Sequence, residues 1–393
     1  MQRGIKVFLK GLILLFALFV IFIVSGFWMY HTMDRGKLLT NGAHKIDFLY
    51  SKSGHLIVDV MINGRPYKLL VDSGASNTVF SHRKDSIDLD GFLGFGIGIG
   101  INGGGFLTSM YRIHDVQIGN HQFEDLSFKV ADFRLNCGED IDGIIGKEAM
   151  RHLAWHFDPS IQEILISNIS SDLPELKGDT VSLAINKYGH QLYAFGSVNG
   201  LRTKFTVDTG SNGFMAIGET RDDTLGVAII GVGNRGLDGD SKEFRSWIFS
   251  ESVRIQKFQP KAKIQVMTGN GLLPTIGVSF LKNYKFVLNW KERMLILEPL
   301  DSQSFISNSI AVEMKFDESI QKLVISSFLE NSTLDQGAVL PGAVVECLNG
   351  NCNLTWDSYC NFKLGKEESL ELKLEGIDST FVIQRFCYDE LVK

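Results

Sequence analysis

The chain has no excess of basic charge. With 39 Lys and Arg against 45 Asp and Glu, its formal net charge is −6. No long basic run lies outside the N-terminal flank, so nucleic acid is not an expected partner. C-x-x-C pairs are absent from the five cysteines, which excludes a zinc ribbon. His152 and His156 stand four apart, spacing that could share a helical face, but no glutamate lies between them and no third ligand is evident, so a structural role is expected rather than zinc. Long helical periodicity is missing from the body of the chain. Charge is missing altogether from Gly11 to Met33, a run of 23 residues that is long enough to cross a bilayer as a helix. A cleaved signal peptide would have a shorter apolar core and small residues at its cleavage site. Here "VSGFWMYH" closes the run, and Trp28 and Tyr30 suit a membrane interface. Arg3, Lys6 and Lys10 precede it and favour a cytoplasmic N-terminus. The expectation is a single-pass signal anchor at 11–33 behind a cytoplasmic segment 1–10, followed by a polar tether at 34–44. The remaining chain would then lie outside the cytoplasm, in the periplasm of a Gram-negative cell.

What the chain does have is a repeated aspartate loop. Val71-Asp72-Ser73-Gly74-Ala75-Ser76 returns as Val207-Asp208-Thr209-Gly210-Ser211-Asn212. Each aspartate ends a run of strand-forming residues and is followed by a small hydroxyl residue and a glycine, the profile of a carboxylate carried on a tight loop. An Asn-Gly turn precedes each aspartate by the same interval, at Asn63-Gly64 and Asn199-Gly200. His55 and His190 also lie upstream of the two turns, and a shared structural role is expected for them.

A second matched pair follows. Ile141-Asp142-Gly143-Ile144-Ile145-Gly146 and Leu272-Leu273-Pro274-Thr275-Ile276-Gly277 each end about 70 residues after their aspartate. Both are followed by sequence that reads as a short helix, an aromatic strand, a turn and another strand. The chain thus predicts two homologous β-rich lobes, at 45–171 and 172–300.

These paired motifs, hydrophobic-Asp-Ser/Thr-Gly-Ala/Ser followed by hydrophobic-hydrophobic-Gly, resemble the aspartic peptidases in their two-lobed, pepsin-like or fused retropepsin-like form. The resemblance implies a mainly β fold of two barrel-like lobes with a cleft between them and a catalytic pair made of Asp72 and Asp208. Two carboxylates within hydrogen-bonding reach share one proton, so one activates a water while the other polarises the scissile carbonyl. Neither a metal nor a cofactor is needed. Ser73 and Thr209 would bond across the lobe junction, and Gly74 and Gly210 would point backbone N–H groups at the carboxylates. Ser211 can offer Asp208 a further hydrogen bond that Ala75 cannot offer Asp72, so Asp208 is expected to ionise more easily.

The stretch "GFGIGIGINGGGF", Gly94 to Phe106, contains a G-x-G-x-x-G match, but "FLTSMYRIHDVQIG" after it alternates like a strand rather than opening a helix. It reads as a glycine-rich hairpin, and by the family resemblance as a flap over the cleft, with Gly103, Gly104 and Gly105 at its tip. The second lobe has a weaker counterpart at Gly231 to Asp240.

The final stretch, 301–393, holds Cys347, Cys352, Cys360 and Cys387, whereas Cys137 stands alone in the first lobe. Four clustered cysteines in an exported chain allow disulfides in three pairings. "GAVLPGAVVECLNGN", with "LELKLEG" and "TFVIQRF" after it, resembles part of a bacterial PDZ domain, which would bind a peptide end or an exposed strand. The alternative is a small β-domain packed on the second lobe. The expected function is a membrane-anchored endopeptidase acting on extended polypeptide, such as envelope or membrane proteins. A peptide-binding scaffold that lost turnover is the competing reading, and a glycosidase with paired acids would not explain why each acid sits in a duplicated loop.

Overall fold

The computed structural model describes residues 10–21, 23–24, 36–51, 53–89, 91–99, 105–132, 141–186, 190–218, 226–231, 235–236, 239–240, 245–250, 252–269, 272–303, 308–310, 312–317, 319–330, 332–355 and 369–387. It is mainly β. In the first half the strands Leu56–Ile62 and Arg65–Val71 form a hairpin that turns at Asn63 (φ 48°) and Gly64 (φ 75°). The second half repeats it with Leu192–Val198 and Leu201–Asp208, turning at Asn199 (φ 49°) and Gly200 (φ 82°). Two successive left-handed residues match the twist of the flanking strands, and Asn-Gly adopts that conformation at least cost.

The motif that follows each aspartate lies beside it in space. Gly143–Ile145 runs parallel to Arg65–Val71, with Ile145 opposite Val71, and antiparallel to Thr78–Phe80. Thr275–Gly277 likewise runs parallel to Leu201–Asp208 and antiparallel to Met215–Ile217. A parallel neighbour cannot be reached by a tight turn, so the chain between aspartate and glycine has to make a long excursion and return.

A one-turn helix follows each glycine, Lys147–Met150 and Val278–Leu281. The strand pairs Ala154–Asp158 with Glu163–Ser167 and Tyr284–Asn289 with Met294–Pro299 come next. Ala154–Asp158 pairs with Tyr284–Asn289, so the four strands merge into a sheet that has six strands among the described residues, with Ala43–Asp47 and Asp179–Ser182 at its edges. Behind it Trp155, Phe157 and Phe286 are buried, and the rings of Phe157 and Phe286 stack at 4.4 Å. One apolar cluster extends into both halves. The shared sheet and core thereby hold the two aspartate strands in register with each other. His156 lies in the strand Ala154–Asp158 and His152 in the turn before it, so the spacing of four does not correspond to a common helical face. Within the stretch read as a tether, Lys37–Leu38 pair with the strand His121–Ala131.

The C-terminal stretch has a separate core, including Leu323, Ile325, Leu334, Leu370, Leu372 and Ile383. Its strand Lys322–Leu329 pairs with Val312–Asp317 on one side and with Gly226–Gly231 of the second half on the other, which extends that half's sheet. Asn349 (φ 47°) and Gly350 (φ 76°) turn the chain after the strand Val345–Leu348. Cys347 and Cys352 bracket that turn and are joined by a disulfide, one of the open pairings. Cys137 and Cys360 lie outside the described residues. Thiol counting on oxidised protein is expected to find no more than three free thiols of the five cysteines.

Residues 10–21 are helical and their apolar side chains, Leu12 to Ile21, stand exposed. Most of the rest of the expected anchor lies outside the described residues, and no described helix is long and apolar enough to cross a membrane.

Candidate active site at the junction of the halves

The two aspartate loops meet across the junction. Thr209 Oγ1 accepts from the Ser73 N–H at 2.9 Å and donates to the Val71 carbonyl at 2.8 Å. Ser73 Oγ reciprocates, accepting from the Thr209 N–H at 3.0 Å and donating to the Val207 carbonyl at 2.8 Å. Both hydroxyl side chains are fully buried. The short hydroxyl residue after each aspartate therefore fastens its loop to the opposite half. Replacing Thr209 by Val keeps the volume and leaves a buried N–H and a buried carbonyl unpaired. It is expected to cost about 2–4 kcal/mol in denaturant unfolding.

This fastening brings Asp72 and Asp208 into hydrogen-bond contact. Each carboxylate accepts two backbone N–H groups from its own loop. Gly74 and Ala75 donate to Asp72 Oδ1 at 2.7 and 2.9 Å, and Gly210 and Ser211 donate to Asp208 Oδ1 at 3.0 and 3.1 Å. Burial pushes both acids up. The charge and hydrogen bond of Asp208 push Asp72 further, well above the usual carboxylate range, whereas the bond from Asp72 favours ionised Asp208. The pair therefore holds one proton between its two carboxyls above the pH at which an isolated carboxyl would lose it. The loops supply equivalent backbone donors, and Ser211 contributes through its N–H as Ala75 does.

The glycines of the loops have a role beyond turning. A Cβ added at Gly74 would lie 2.5 Å from Asp208 Cγ, and one at Gly210 would fall inside the van der Waals envelope of the Asp72 carboxyl. Each glycine therefore leaves the space into which the other half's carboxylate fits.

Further supports were not visible as motifs. Asn77 Oδ1 accepts from the Gly146 N–H at 2.7 Å, and buried Glu148 accepts from the Asn77 N–H at 2.6 Å. Together they pin the first aspartate loop to the helix behind it. In the second half Ser279 Oγ donates to the Asn212 carbonyl at 2.7 Å instead. The repeat itself could have located one pair of these positions, because Glu148 and Ser279 each lie two residues after the glycine of their motif. The matching of His55 to His190 needs correction by one residue. His55 directly precedes the strand Leu56–Ile62, and the residue directly preceding Leu192–Val198 is Gln191. Gln191 also stands at the same interval from its Asn-Gly turn as His55 does. His190 sits in a turn (φ 53°), and its carbonyl accepts from Trp290 Nε1.

The glycine-rich stretch forms the expected hairpin. Phe92–Ile99 pairs antiparallel with Gly105–Ile118, with Ile99 opposite Gly105. Gly105 opens the return strand, while Gly103 and Gly104 lie outside the described residues. On one face Gly96 and Gly98 leave room for Met110 and Phe106 of the partner strand. Phe92 and Phe95 are exposed and their rings meet edge to face at 5.3 Å. In the second half, Gly226–Gly231 and Arg245–Ser250 pair, with a short pairing of Arg235–Gly236 and Gly239–Asp240 between them in sequence.

Comparison with known proteins agrees with the first of these loops. A family model described as aspartyl protease matches residues 58–149, which include Asp72 and the Ile144-Ile145-Gly146 motif. None of the curated proteins matches the chain. Among solved structures, an aspartic proteinase from Irpex lacteus is similar at 14% identity and a TM-score of 0.40, covering 66% of this chain and 98% of its own. Basic 7S globulin from soybean is similar at 10% identity and a TM-score of 0.40, covering 66% of this chain and 95% of its own. The chain thus carries an aspartyl protease domain match.

Proposed function

We propose that the chain is an aspartic endopeptidase in which Asp72 and Asp208 act as one catalytic pair. The observation that carries this reading is the hydrogen-bonded contact between two carboxyls delivered by separate copies of one loop. Ionised Asp208 takes a proton from a water as its oxygen attacks the scissile carbonyl carbon, and protonated Asp72 gives its proton to the carbonyl oxygen. The tetrahedral intermediate then loses the amine, which receives the proton held by Asp208, while one of its hydroxyls returns a proton to Asp72 and the carboxylic acid product leaves. An extended substrate would run between two barrel-like lobes and pair its backbone with the hairpin around residues 92–118.

The unpartnered apolar side chains of residues 12–21 and 23–24 support a membrane anchor, and the disulfide supports exposure of the body of the chain to an oxidising compartment. On this reading the substrates are polypeptides at the same membrane surface. The C-terminal stretch, on a PDZ-like reading, would present peptide to the cleft. The test is incubation of the full chain in detergent with a diverse peptide mixture between pH 4 and 7, with products mapped by mass spectrometry. Internal cleavage that disappears in both Asp72→Asn and Asp208→Asn is the expected result. Binding without cleavage would replace this reading with that of a peptide-binding scaffold.

A further inference from the structure

His55 and Gln191, the pair in corrected register, each reach into the opposite half. His55 is 8% exposed and donates a ring N–H to the Gly210 carbonyl, while its Nδ1 is buried without a partner. Gln191 Nε2 donates to the Ser73 carbonyl at 3.3 Å. Each accepting carbonyl belongs to a peptide unit whose other end serves an aspartate. The Gly210 carbonyl shares its unit with the Ser211 N–H, which donates to Asp208 at 3.1 Å. The Ser73 carbonyl shares its unit with the Gly74 N–H, which donates to Asp72 at 2.7 Å.

We infer that His55 is a positioning residue for the aspartate pair, acting on Asp208 through the peptide unit between Gly210 and Ser211. This rests on the proposed peptidase reading. A donor on the carbonyl end of a peptide polarises its N–H, strengthens the bond that N–H makes to a carboxylate, and fixes the plane of the unit. The bond to Asp208 favours its ionised form, which is the form that activates water. The histidine is itself well placed. Its carbonyl accepts from the Ser51 N–H at 2.7 Å and its N–H donates to Ser51 Oγ at 2.9 Å. The same loop meets the second half again where Asn212 Nδ2 donates to the Ser53 carbonyl at 3.3 Å. Burial pushes the imidazole down to about 4, so the ring is neutral around neutral pH. Among the described residues, the charged group acting on each of Asp72 and Asp208 is the other. Two sides of the site use different chemistry for one task, an imidazole toward Asp208 and an amide toward Asp72.

The experiment compares His55→Leu with His55→Gln in the full chain. Loss of the donor in His55→Leu is expected to lower kcat roughly 10- to 100-fold with little change in KM, and to move the acid limb of the kcat/KM profile upward. His55→Gln restores an N–H donor of the kind Gln191 already supplies, and is expected to recover most of the rate and return the acid limb. Carboxyl NMR titration of the pair gives a readout independent of turnover, with Asp208 shifted up in His55→Leu and returned in His55→Gln. A His55→Leu protein with the parental kcat and titration would overturn the inference, as would a His55→Gln protein no better than His55→Leu. Failure of the peptidase reading looks different, because the parent itself would then not cleave peptides, or would still cleave after Asp72→Asn.

Discussion

Asp72→Asn and Asp208→Asn are each expected to lower kcat/KM by about 10³-fold or more while leaving the protein at least as stable as the parent at pH 7. An amide preserves the shape of the carboxyl and can still hydrogen-bond its neighbour, but it can neither take a proton from water nor give one to a carbonyl. The stability half of the result follows from linkage. The folded state raises the affinity of Asp72 for its proton, so the stability this proton contributes is complete at acid pH. That stability is lost as the pH rises through the raised folded value. At pH 7 the pair carries an electrostatic cost that the neutral amide removes, and the midpoint of urea unfolding should rise in Asp72→Asn by the equivalent of about 1–2 kcal/mol. At pH 4 the gain should shrink. Loss of both activity and stability would mean that the carboxyls hold the junction together rather than work in it.

Gly210→Ala should be comparably damaging to turnover, although it adds a single methyl group far smaller than most tolerated changes. The added carbon would occupy the space of the Asp72 carboxyl across the junction, which the N–H groups of Gly74 and Ala75 hold in place. Either the carboxyl swings out of contact with Asp208 or the second loop retreats, breaking its bonds with Ser73. A loss of activity of about 10²-fold or more is expected from displacement alone, together with destabilisation of about 1–3 kcal/mol from overpacking. The carboxyl titration separates these consequences. Once the acids part, the proton shared by the pair should be lost and Asp72 should titrate closer to an ordinary carboxyl. Gly200→Ala is the control, because nothing stands within 4 Å of its added carbon and only its positive φ of 82° would be strained. It should reduce stability and leave the titration of the pair in place.

Much of the site was legible before any coordinates, because duplication makes residues speak for each other. One Asp-Ser-Gly is an ordinary turn, whereas two in the same frame, each followed by a strand ending in glycine, mark positions under a common constraint. The Asn-Gly hairpins were legible for a local reason, since two successive left-handed residues restrict the choice of amino acid. The supports were harder to see. Glu148 and Asn77 meet only because a parallel strand brings distant segments together. Residue type alone matches His55 to His190, whereas the alternation of a strand matches His55 to Gln191, a residue of different type with the same donor capacity.

The sequence by itself determined the elements governed by local physics: mainly β structure, the hairpin turns, the short helices after each glycine and the identity of the two aspartates. Tertiary structure decided the relations between halves, namely which hydroxyl fastens which loop, which glycine yields to which carboxyl, and that two buried acids come close enough to share a proton. Those outcomes depend on desolvation and on contacts between residues more than a hundred positions apart. Such contacts exist only once the shared six-stranded sheet and the core behind it have brought the two loops face to face.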